Sequence, residues 1–309
     1  MKSSEFRKSL RKSDLMKLSI CIPVYNFDVR ELVFDLKKEI DSREIDAEII
    51  LIDDASDYAF TSINKDLQNQ VKKLVFLEEN IGRSKIRNLF LQYSSGEYLL
   101  FLDCDVKIAV KDFLWNYISE INKYPDIELI YGSFAIDPQY AFTLRNRYSV
   151  EREIFFGSRS GDFSLFKTVN FIISKKILEK FPFNETLTQY GYEDFVFAKL
   201  LEQNGIKFLA MTNPVIHVDD ASNAVFLDKT EIGMESLFRL SKDPQNSTFI
   251  KDIKVYKAAV LLKRLKLIPL FLSTYKFFEK KVKTNLLSNA PSIRYFDFYK
   301  LAVLTRKMK

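Results

Sequence analysis

Two aspartates on either side of Cys104 are the residues of this sequence best suited to bind a metal ion. Asp103 and Asp105 follow a largely apolar run at 97–102, and side chains two positions apart in an extended chain face the same side. Carboxylate oxygens suit Mg²⁺ or Mn²⁺, which proteins commonly hold with one or two carboxylates plus substrate phosphates. A solvated Asp turn is the alternative for so short a pattern. The position directly after an apolar strand favours the metal site.

A second acidic pair and a basic segment have the chemistry to hold a nucleotide. Asp53 and Asp54 end the apolar run 47–52, where a carboxylate can accept hydrogen bonds from a base or a ribose, or can cap a turn. Residues 80–88 combine a turn with a helix start, and the positive helix end and basic side chains attract a diphosphate. The same pattern fits the solvated side of an amphipathic helix. The basic residues of this segment are Arg83, Lys85 and Arg87.

Three further residues could act on a second substrate or on the metal. Glu193 and Asp194 open a helix predicted at 193–204. Acids are favoured in a first helical turn for electrostatic reasons alone, but Asp194 could also take a proton from a hydroxyl as a general base. His217 is the single histidine of the chain. A lone histidine is usually structural, yet its imidazole could complete a metal site with the first aspartate pair.

The elements that must position these residues alternate between strands and helices. Short apolar runs predict strands, and helical spacing of apolar residues falls between them. The alternation predicts an α/β fold with a Rossmann-like, mostly parallel central sheet and helices on both faces. Ligands bind outside the carboxyl ends of the strands in such sheets, so the polar clusters should meet there. The predicted strands are 18–24, 47–52, 72–77 and 97–102, and the predicted helices are 28–40 and 83–93.

The second half of the sequence is less regular. Strands are predicted at 168–174 and 207–211, and a short helix at 175–180. Beyond Phe226 the pattern is helical to the end of the chain, which predicts a C-terminal helical extension.

Charge is distributed unevenly along the 309 residues. Residues 251–309 hold 15 Lys or Arg against three acids, a net charge of +12, so the first 250 residues carry −6 of the total of +6. Residues 1–17 are also basic and lack the apolar stretch of a secretory signal. No apolar run reaches the roughly 18 residues of a membrane-spanning helix. Cys21 and Cys104 lie in apolar runs, and we interpret them as buried thiols of a reducing compartment.

The ordered set of motifs resembles the inverting family 2 glycosyltransferases with the GT-A fold. The resemblance covers about residues 18–220 and departs from the family at Ile86, where alanine is usual. No single motif is specific, but their order and spacing are. The matching segments are 19–26 (SICIPVYN), 50–57 (ILIDDASD), 80–88 (NIGRSKIRN), the D-x-D of 101–105 (FLDCD), 191–194 (GYED) and His217.

The resemblance implies a metal-dependent enzyme that moves a hexose from a nucleotide-diphosphate sugar to a hydroxyl of a glycan or lipid-linked acceptor. It implies a single in-line displacement with inversion, in the synthesis of bacterial cell-surface polysaccharide, with Mn²⁺ or Mg²⁺ as cofactor. A UDP sugar is expected ahead of a GDP sugar. We expect a basic segment at 1–17, a catalytic domain at 18–225 and a basic helical region at 226–309. The catalytic domain would divide into a nucleotide-sugar half, 18–106, and an acceptor half, 107–225.

Residue roles come from the same resemblance. Asp194 would be the catalytic base and Glu193 would bind the acceptor. Asp105, His217 and Asp103 would hold the metal. The donor would contact Pro23, Val24, Tyr25, Asp53, Asp54, Asn80, Gly82, Arg87, Asp103 and Asn170.

Competing functions differ in the loop that they require after the first strand. A Rossmann dehydrogenase needs G-x-G-x-x-G there, and a sugar-nucleotide pyrophosphorylase should show a glycine-rich basic loop. The sequence has Pro23, Val24, Tyr25 and Asn26 instead, which excludes both. A non-catalytic nucleotide-sugar or glycan-binding protein of the same fold is the remaining alternative, and turnover of a donor distinguishes it.

Two interpretations fit the basic C-terminal region. One is a peripheral helix on the inner face of the cytoplasmic membrane, with lysine stems reaching along the surface, and the other is a helical subdomain packed on the body. Nucleic-acid binding is not expected, because no recognised motif accompanies the charge. We expect a cytoplasmic protein with peripheral membrane contact.

Overall fold

The computed structural model describes residues 16–309, so the predicted segment 1–17 falls outside it apart from its last two residues. The strands are β1 Leu18–Val24, β2 Ala47–Asp53, β3 Lys73–Phe76, β4 Tyr98–Leu102, β5 Val106–Ile108, β6 Leu129–Tyr131, β7 Phe134–Ile136, β8 Arg159–Ser160, β9 Asn170–Ser174, β10 Phe208–Ala210 and β11 Val215–His217. The helices are α1 Arg30–Arg43, α2 Tyr58–Asn64, α3 Arg83–Tyr93, α4 Phe113–Lys123, α5 Leu144–Arg152, α6 Lys175–Lys180, α7 Glu193–Gln203, α8 Asn223–Leu240, α9 Lys254–Arg264, α10 Ile268–Leu286 and α11 Ile293–Lys307.

The main sheet has eight strands in the order β3-β2-β1-β4-β9-β6-β10-β8. Strands β9 and β8 run against the direction of the other six. The first four strands are nearly continuous apolar runs, as expected when helices cover a parallel sheet, and β1 is buried along almost its whole length. The predicted α/β class, with a mostly parallel central sheet and C-terminal helices, is confirmed.

A second sheet was not predicted. Its order is β5-β11-β7, and β5 and β11 pair antiparallel with His217 opposite Val106. These strands have only three residues each, too few to show the alternation that marks a strand in sequence. The pairing brings the end of β11 beside the residues that follow β4.

The described chain divides into two compact units. The first contains the described residues up to Ala135 together with Phe155–Glu185 and Leu200–His217. The second contains Ile136–Ile154, Thr186–Lys199 and Val218–Lys309. Each unit is built from three separate segments of the chain. The sequence led us to expect one domain boundary near residue 225, and that boundary stays a prediction.

A buried hydrogen-bond network ties the first unit together at the start of its strands. The carboxylate of Glu48 accepts from the hydroxyl of Ser19 at 2.7 Å and from the backbone N–H and hydroxyl of Ser95 at 2.6 and 2.8 Å. The hydroxyl of Ser19 in turn accepts from the N–H of Gly96 at 2.8 Å. A Cβ at Gly96 would lie 2.5 Å from the backbone nitrogen of Ser19, so a glycine is required here. The network joins β1, β2 and the turn before β4.

The second unit has its own helical core. Tyr275, Phe296 and Leu304 are buried in it. The ring of Phe296 packs on Phe226 of α8 and on Tyr148 of α5, at centroid distances of 5.3 and 5.4 Å. Helices α8, α10 and α11 therefore share one apolar interior. No helix of residues 16–309 combines the length and the apolar character needed to cross a bilayer.

Candidate functional site

The carboxyl ends of β1 and β2 are joined by side chains from the turns that follow them. The N–H of Asn26 donates to the hydroxyl of Ser56 at 2.8 Å. Asn26 and Asp57 share two further bonds: the side-chain amide of Asn26 donates to the carboxylate of Asp57 at 3.2 Å, and the backbone N–H of Asp57 donates to Oδ1 of Asn26 at 2.7 Å. Asn26 has a φ of 49°, a left-handed conformation that asparagine tolerates better than most residues. These bonds hold the turn after β1 next to the turn after β2, and both turns were predicted to contact the nucleotide.

Asp53 and Asp54 have different surroundings. Both oxygens of Asp54 accept backbone N–H bonds, from Ile81 at 2.7 Å and from Gly82 at 3.2 Å. Oδ1 of Asp53 accepts from the N–H of Ser56 at 2.7 Å, while its buried Oδ2 has no hydrogen-bond partner among the described residues. Burial raises the pKa of both carboxyls. Asp54 therefore holds the loop before α3, whereas one oxygen of Asp53 is left without a donor among the described residues.

The loop before α3 is the predicted diphosphate segment. Gly82 caps the helix with a φ of 82°, which suits glycine. The exposed Asn80 donates its side-chain amide to the carbonyl of Asp54 at 3.1 Å. The loop is thus fixed to the end of β2 by both backbone and side-chain bonds.

Arg87 and Asp103 form a pair inside the first unit. Nη2 of Arg87 donates to Oδ1 of Asp103 at 2.9 Å, and the arginine side chain is only 3% exposed. Nη1 of Arg87 donates to the carbonyl of Arg83 at 3.2 Å. Arg87 therefore positions Asp103 and has little surface left for a diphosphate. Arg83, which begins α3, is exposed.

Asp105 lies beside His217. Oδ2 of Asp105 is 3.3 Å from Nε2 of His217, with the two side chains 36% and 12% exposed. The pairing of β11 with β5 creates this contact, because His217 lies opposite Val106 and Asp105 precedes it. The ring of Phe134 lies edge-on to the imidazole, with 6.0 Å between the ring centroids. The structure thus brings His217 next to Asp105, and a metal-binding role for the two stays a prediction.

The pKa values of Asp103 and Asp105 are shifted in opposite directions. Desolvation raises the pKa of Asp103, although 28% of its side chain is exposed, and the positive charge of Arg87 offsets this only in part. Desolvation acts the same way on Asp105, but His217 and then Arg83 outweigh it and lower the pKa of that carboxyl. Of these two aspartates, Asp105 is therefore the one whose charged form the surroundings favour more.

The residues around the first strand's end differ in exposure. Val24 is buried and Tyr25 is exposed, so only the tyrosine ring is free to lie against a planar group. Pro23 is half-buried.

The two cysteines are free thiols. Cys104 is half-buried and Cys21 is buried. Burial raises the pKa of both thiols, which keeps them protonated.

Asn170 occupies the centre of a buried amide network. Its side-chain amide donates to the carbonyls of Ser133 and Asn213, both at 2.9 Å, and its Oδ1 accepts from the hydroxyl of Tyr117 at 2.7 Å. A Cβ at Gly132 would collide with the hydroxyl of Tyr117. Asn170 is fully buried and its polar atoms are all bonded, so it positions neighbouring segments. The predicted donor contact stays a prediction, without support from this geometry.

Glu193 and Asp194 belong to the second unit and begin α7. The turn before them has two successive left-handed residues, Gly191 with a φ of 97° and Tyr192 with a φ of 72°. Such a φ is unusual for a bulky residue, and strained backbone is often found at functional sites. Oδ1 of Asp194 accepts the N–H of Phe195 at 2.7 Å. Glu193 is buried and Asp194 is half-buried.

The donor set available to a metal ion is small. Residues 16–309 contain no cluster of three or more His, Cys, Asp or Glu side chains that could hold an ion. Asp105 and His217 form a two-residue set of one carboxylate oxygen and one imidazole nitrogen. These donors fit a Mn²⁺-type ion whose other ligands are supplied by water or by substrate phosphates.

Sequence comparison connects this geometry to known proteins. A poly(ribitol-phosphate) beta-glucosyltransferase of Bacillus spizizenii is 36% identical over 118 residues, 35% of this chain and 18% of that protein. The poly(ribitol-phosphate) beta-N-acetylglucosaminyltransferase TarS of Staphylococcus aureus is 34% identical over 95 residues, 29% of this chain and 16% of that protein. The chain therefore matches less than a fifth of the length of these two relatives.

Structural comparison supports the same fold. A mannosyltransferase of Pyrobaculum calidifontis, solved in complex with GDP-Man and Mn²⁺, has a TM-score of 0.60 and is 18% identical in sequence. The match covers 95% of this chain and 87% of that chain. This likeness concerns the fold, which is the predicted GT-A fold.

A family profile also matches the chain. The profile described as Glycosyl transferase family 2 matches residues 19–186, more than half of the chain. The matched segment runs from β1 to beyond α6 and contains both aspartate pairs, the loop before α3 and Arg87. It ends before Glu193, Asp194 and His217. On this match, together with the fold, the chain belongs to glycosyl transferase family 2.

Proposed function

We propose that this chain is a metal-dependent inverting glycosyltransferase that moves a sugar from a nucleotide-diphosphate donor to an acceptor hydroxyl. The observation that carries the proposal is the contact between Asp105 and His217 at the strand ends where the family's donor motifs meet. The membership of family 2 supports transfer chemistry, and the carboxylate oxygen and imidazole nitrogen of this pair are donors that suit a Mn²⁺-type ion.

The metal would be Mn²⁺ or Mg²⁺, held by Asp105 and His217, with Asp103 beside them. A bound ion of this kind would neutralise the negative charge that develops on the departing nucleoside diphosphate. The Mn²⁺ in the mannosyltransferase structure supports this choice. Arg87 keeps Asp103 in place, since its guanidinium bonds to that carboxylate.

The donor would lie against the ends of β1 and β2. We assign the ring of Tyr25 and the polar atoms of Asp53 to the nucleotide, and Asn80, Gly82 and Arg83 to the diphosphate side. Asp54 and Arg87 act through the loop and through Asp103, because their own polar groups are largely bonded within the protein. Pro23 and Val24 support the tyrosine from β1.

Asp194 would act as the general base. It would take the proton of the acceptor hydroxyl as that oxygen attacks the anomeric carbon, while the bond from this carbon to the diphosphate oxygen breaks. Attack from the face opposite the leaving group inverts the configuration, so no covalent sugar–enzyme intermediate forms. Glu193, one residue earlier in α7, would contact the acceptor.

The acceptor class is proposed from the relatives. Two of them are named as glycosyltransferases of poly(ribitol-phosphate), and a putative glycosyltransferase of Bacillus subtilis, TuaG, is named for teichuronic acid biosynthesis. A glycan or lipid-linked acceptor of a bacterial cell-surface polysaccharide therefore suits this chain. We place the reaction on the cytoplasmic side of the membrane, where contact would be peripheral.

A donor panel tests the proposal against the binding-protein alternative. The purified full-length chain is incubated with UDP sugars and GDP sugars, with Mn²⁺ or with EDTA, and released UDP or GDP is measured. We expect release from one donor in Mn²⁺ and none in EDTA. A UDP sugar is our prediction, although the GDP-Man of the mannosyltransferase structure gives it no support. Donor binding without release from any sugar would favour the non-catalytic protein.

A further inference from the structure

Two helices of the second unit expose an unusual number of apolar side chains. We define the basic hairpin as residues 254–287, which comprises α9, the short connection after it and α10. Its connection and the first turn of α10 expose Leu265, Leu267 and Leu270, and the side chains of Leu270 and Phe277 are 66% and 82% exposed. Further exposed apolar residues of the hairpin are Val260, Leu261, Phe278 and Leu287.

The outward direction of these residues is set by helix geometry. The buried positions of α10 include Ile268, Tyr275 and Val282, which are seven residues apart and form one stripe. Leu270 and Phe277 follow the first two of them by two positions, about 200° around the helix. The inner stripe packs in the core of the second unit, so the outer stripe has no cover within that unit.

The connection between the helices is well defined. Helix α9 is followed by Leu265 and then by Lys266, which has a left-handed conformation with a φ of 58°. The N–H of Leu265 donates to the carbonyl of Leu261 at 3.0 Å, and that of Leu267 donates to the carbonyl of Leu262 at 2.9 Å. These bonds satisfy the last carbonyls of the helix. Leu265 and Leu267 therefore lie in a turn whose backbone is held by hydrogen bonds.

Charge surrounds the exposed apolar residues. The basic hairpin contains nine Lys or Arg and a single acid, Glu279, for a net charge of +8. Glu279 is already paired with Lys283 at 3.2 Å and with Arg306 at 3.3 Å. Lys263, Arg264 and Lys266 lie beside the exposed leucines and are exposed themselves. A partner must therefore offer both apolar cover and negative charge.

We infer that the basic hairpin docks on an anionic lipid bilayer, with the leucines of its connection in the headgroup layer. Acyl chains would cover the leucines and Phe277, while lipid phosphates would neutralise the lysines and arginines. Lysine stems can lie along the apolar layer with their ammonium groups at the phosphates. The inference concerns a surface of the second unit and does not depend on the donor or the metal.

Other partners fit this surface less well. A nucleic-acid backbone would neutralise the charge but leave the leucines uncovered. A second copy docking through the same patch would place two surfaces of +8 against each other, and a two-fold contact uses the same patch on both copies. The combination of charge and exposed leucine thus favours lipid.

Sedimentation with lipid vesicles tests the inference on the full-length protein. We expect binding to vesicles of phosphatidylcholine mixed with phosphatidylglycerol, much weaker binding to phosphatidylcholine alone, and release at high salt. The double variants Leu265→Ser/Leu270→Ser and Lys263→Glu/Arg264→Glu should each lower the partition coefficient by about tenfold or more. All the altered side chains are exposed, and thermal unfolding should show an unchanged Tm.

Matched controls come from exposed residues elsewhere in the chain. Val225→Ser/Ile232→Ser changes two exposed apolar residues of α8, and Lys65→Glu/Lys72→Glu changes two exposed lysines of the first unit. Both should bind mixed vesicles like the unaltered protein. The inference is overturned if the unaltered protein does not sediment with mixed vesicles, or if control and hairpin variants lose binding equally. Self-association that depends on Leu265 and Leu270, without vesicle binding, would also overturn it and would assign the surface to a second copy.

Discussion

Asp103 and Asp105 are separated by one residue, yet their side chains have different partners. The guanidinium of Arg87 bonds to Asp103, whereas the imidazole of His217 lies against Asp105. A similar division separates Asp53 from Asp54, since Asp54 is bonded on both oxygens to the loop before α3. At the scale of single residues, the two members of each acidic pair therefore have different partners, and we propose that Asp53 and Asp105 are the members available to a ligand.

Replacing Asp105 tests the available member of the metal pair. Asp105→Asn keeps the size of the side chain but removes the charge that attracts the ion. Because loss of even outer partners of a metal site costs about 10- to 100-fold, we expect Mn²⁺-dependent turnover to fall by about 100-fold or more. Release of nucleoside diphosphate measures it, with the exposed Asp41→Asn as a control. Equal activity of the two variants would contradict the assignment.

Asp194 should act only when the sugar moves. Asp194→Asn retains the helix start but cannot accept a proton, so we expect kcat to fall by about 10²- to 10⁴-fold. Donor affinity, measured by calorimetry in the absence of acceptor, should stay the same, because the loss lies in the transition state. A parallel loss of donor affinity would show that Asp194 binds the donor instead.

At the scale of elements, the sequence predicted most strands and helices before residue 103, but it missed helices α2, α4 and α5 and the short strands between β4 and β9. Strand β1 and helices α3 and α6 have the predicted bounds, because buried apolar runs and helical spacing are local signals. Strands β5 and β11 were not predicted, since three residues carry no periodicity. The contact between Asp105 and His217 depends on that pairing. The tertiary bonds that saturate Asn170 and Asp54 likewise leave no trace in local sequence.

The network around Glu48 predicts a pH-dependent stability. Glu48→Ala leaves the hydroxyl of Ser19 and the N–H of Ser95 without their acceptor, which should cost about 2–4 kcal/mol of unfolding free energy at neutral pH. Desolvation acts to raise the pKa of Glu48, but hydrogen bonds from Ser19 and Ser95 outweigh it and lower that pKa.

The lowered pKa of Glu48 sets the sign of the pH effect. The charged form of Glu48 stabilises the fold above its unfolded pKa, about 4.3, and this contribution is lost as pH falls through the lower folded value. The difference in unfolding free energy between the native protein and Glu48→Ala should therefore shrink below about pH 4. Urea denaturation across pH measures it, with the exposed Glu78→Ala as a control. A difference that does not change with pH would rule out the charged carboxylate.

At the scale of the whole molecule, the C-terminal helices are part of a folded core as well as a charged surface. Their inner side chains pack with α5 and α8, while their outer side chains carry most of the positive charge. The sequence showed the charge and the helical pattern but could not show which apolar residues face inward, because both stripes of α10 are apolar. Both sequence interpretations of the region, the peripheral membrane helix and the subdomain packed on the body, therefore stay predictions.

Truncation should consequently destabilise the protein. A chain ending at Ile250 loses α9, α10 and α11, and with them the buried Tyr275, Phe296 and Leu304. Removal of one large core side chain already costs about 3–5 kcal/mol, so we expect the second unit of the truncated chain to lose cooperative unfolding. Near-ultraviolet circular dichroism and thermal unfolding measure it. Native-like melting of the truncated chain would show that the core of the second unit does not need these helices.

The dependence of turnover on Mn²⁺ tests the central claim most directly. Nucleoside diphosphate release by the native chain and by His217→Ala is titrated with Mn²⁺ at saturating donor. We predict that the Mn²⁺ concentration for half-maximal turnover rises by about tenfold or more in the variant, because one of two protein ligands is lost. An identical Mn²⁺ dependence in both proteins would contradict the account, since His217 would then have no part in holding the metal.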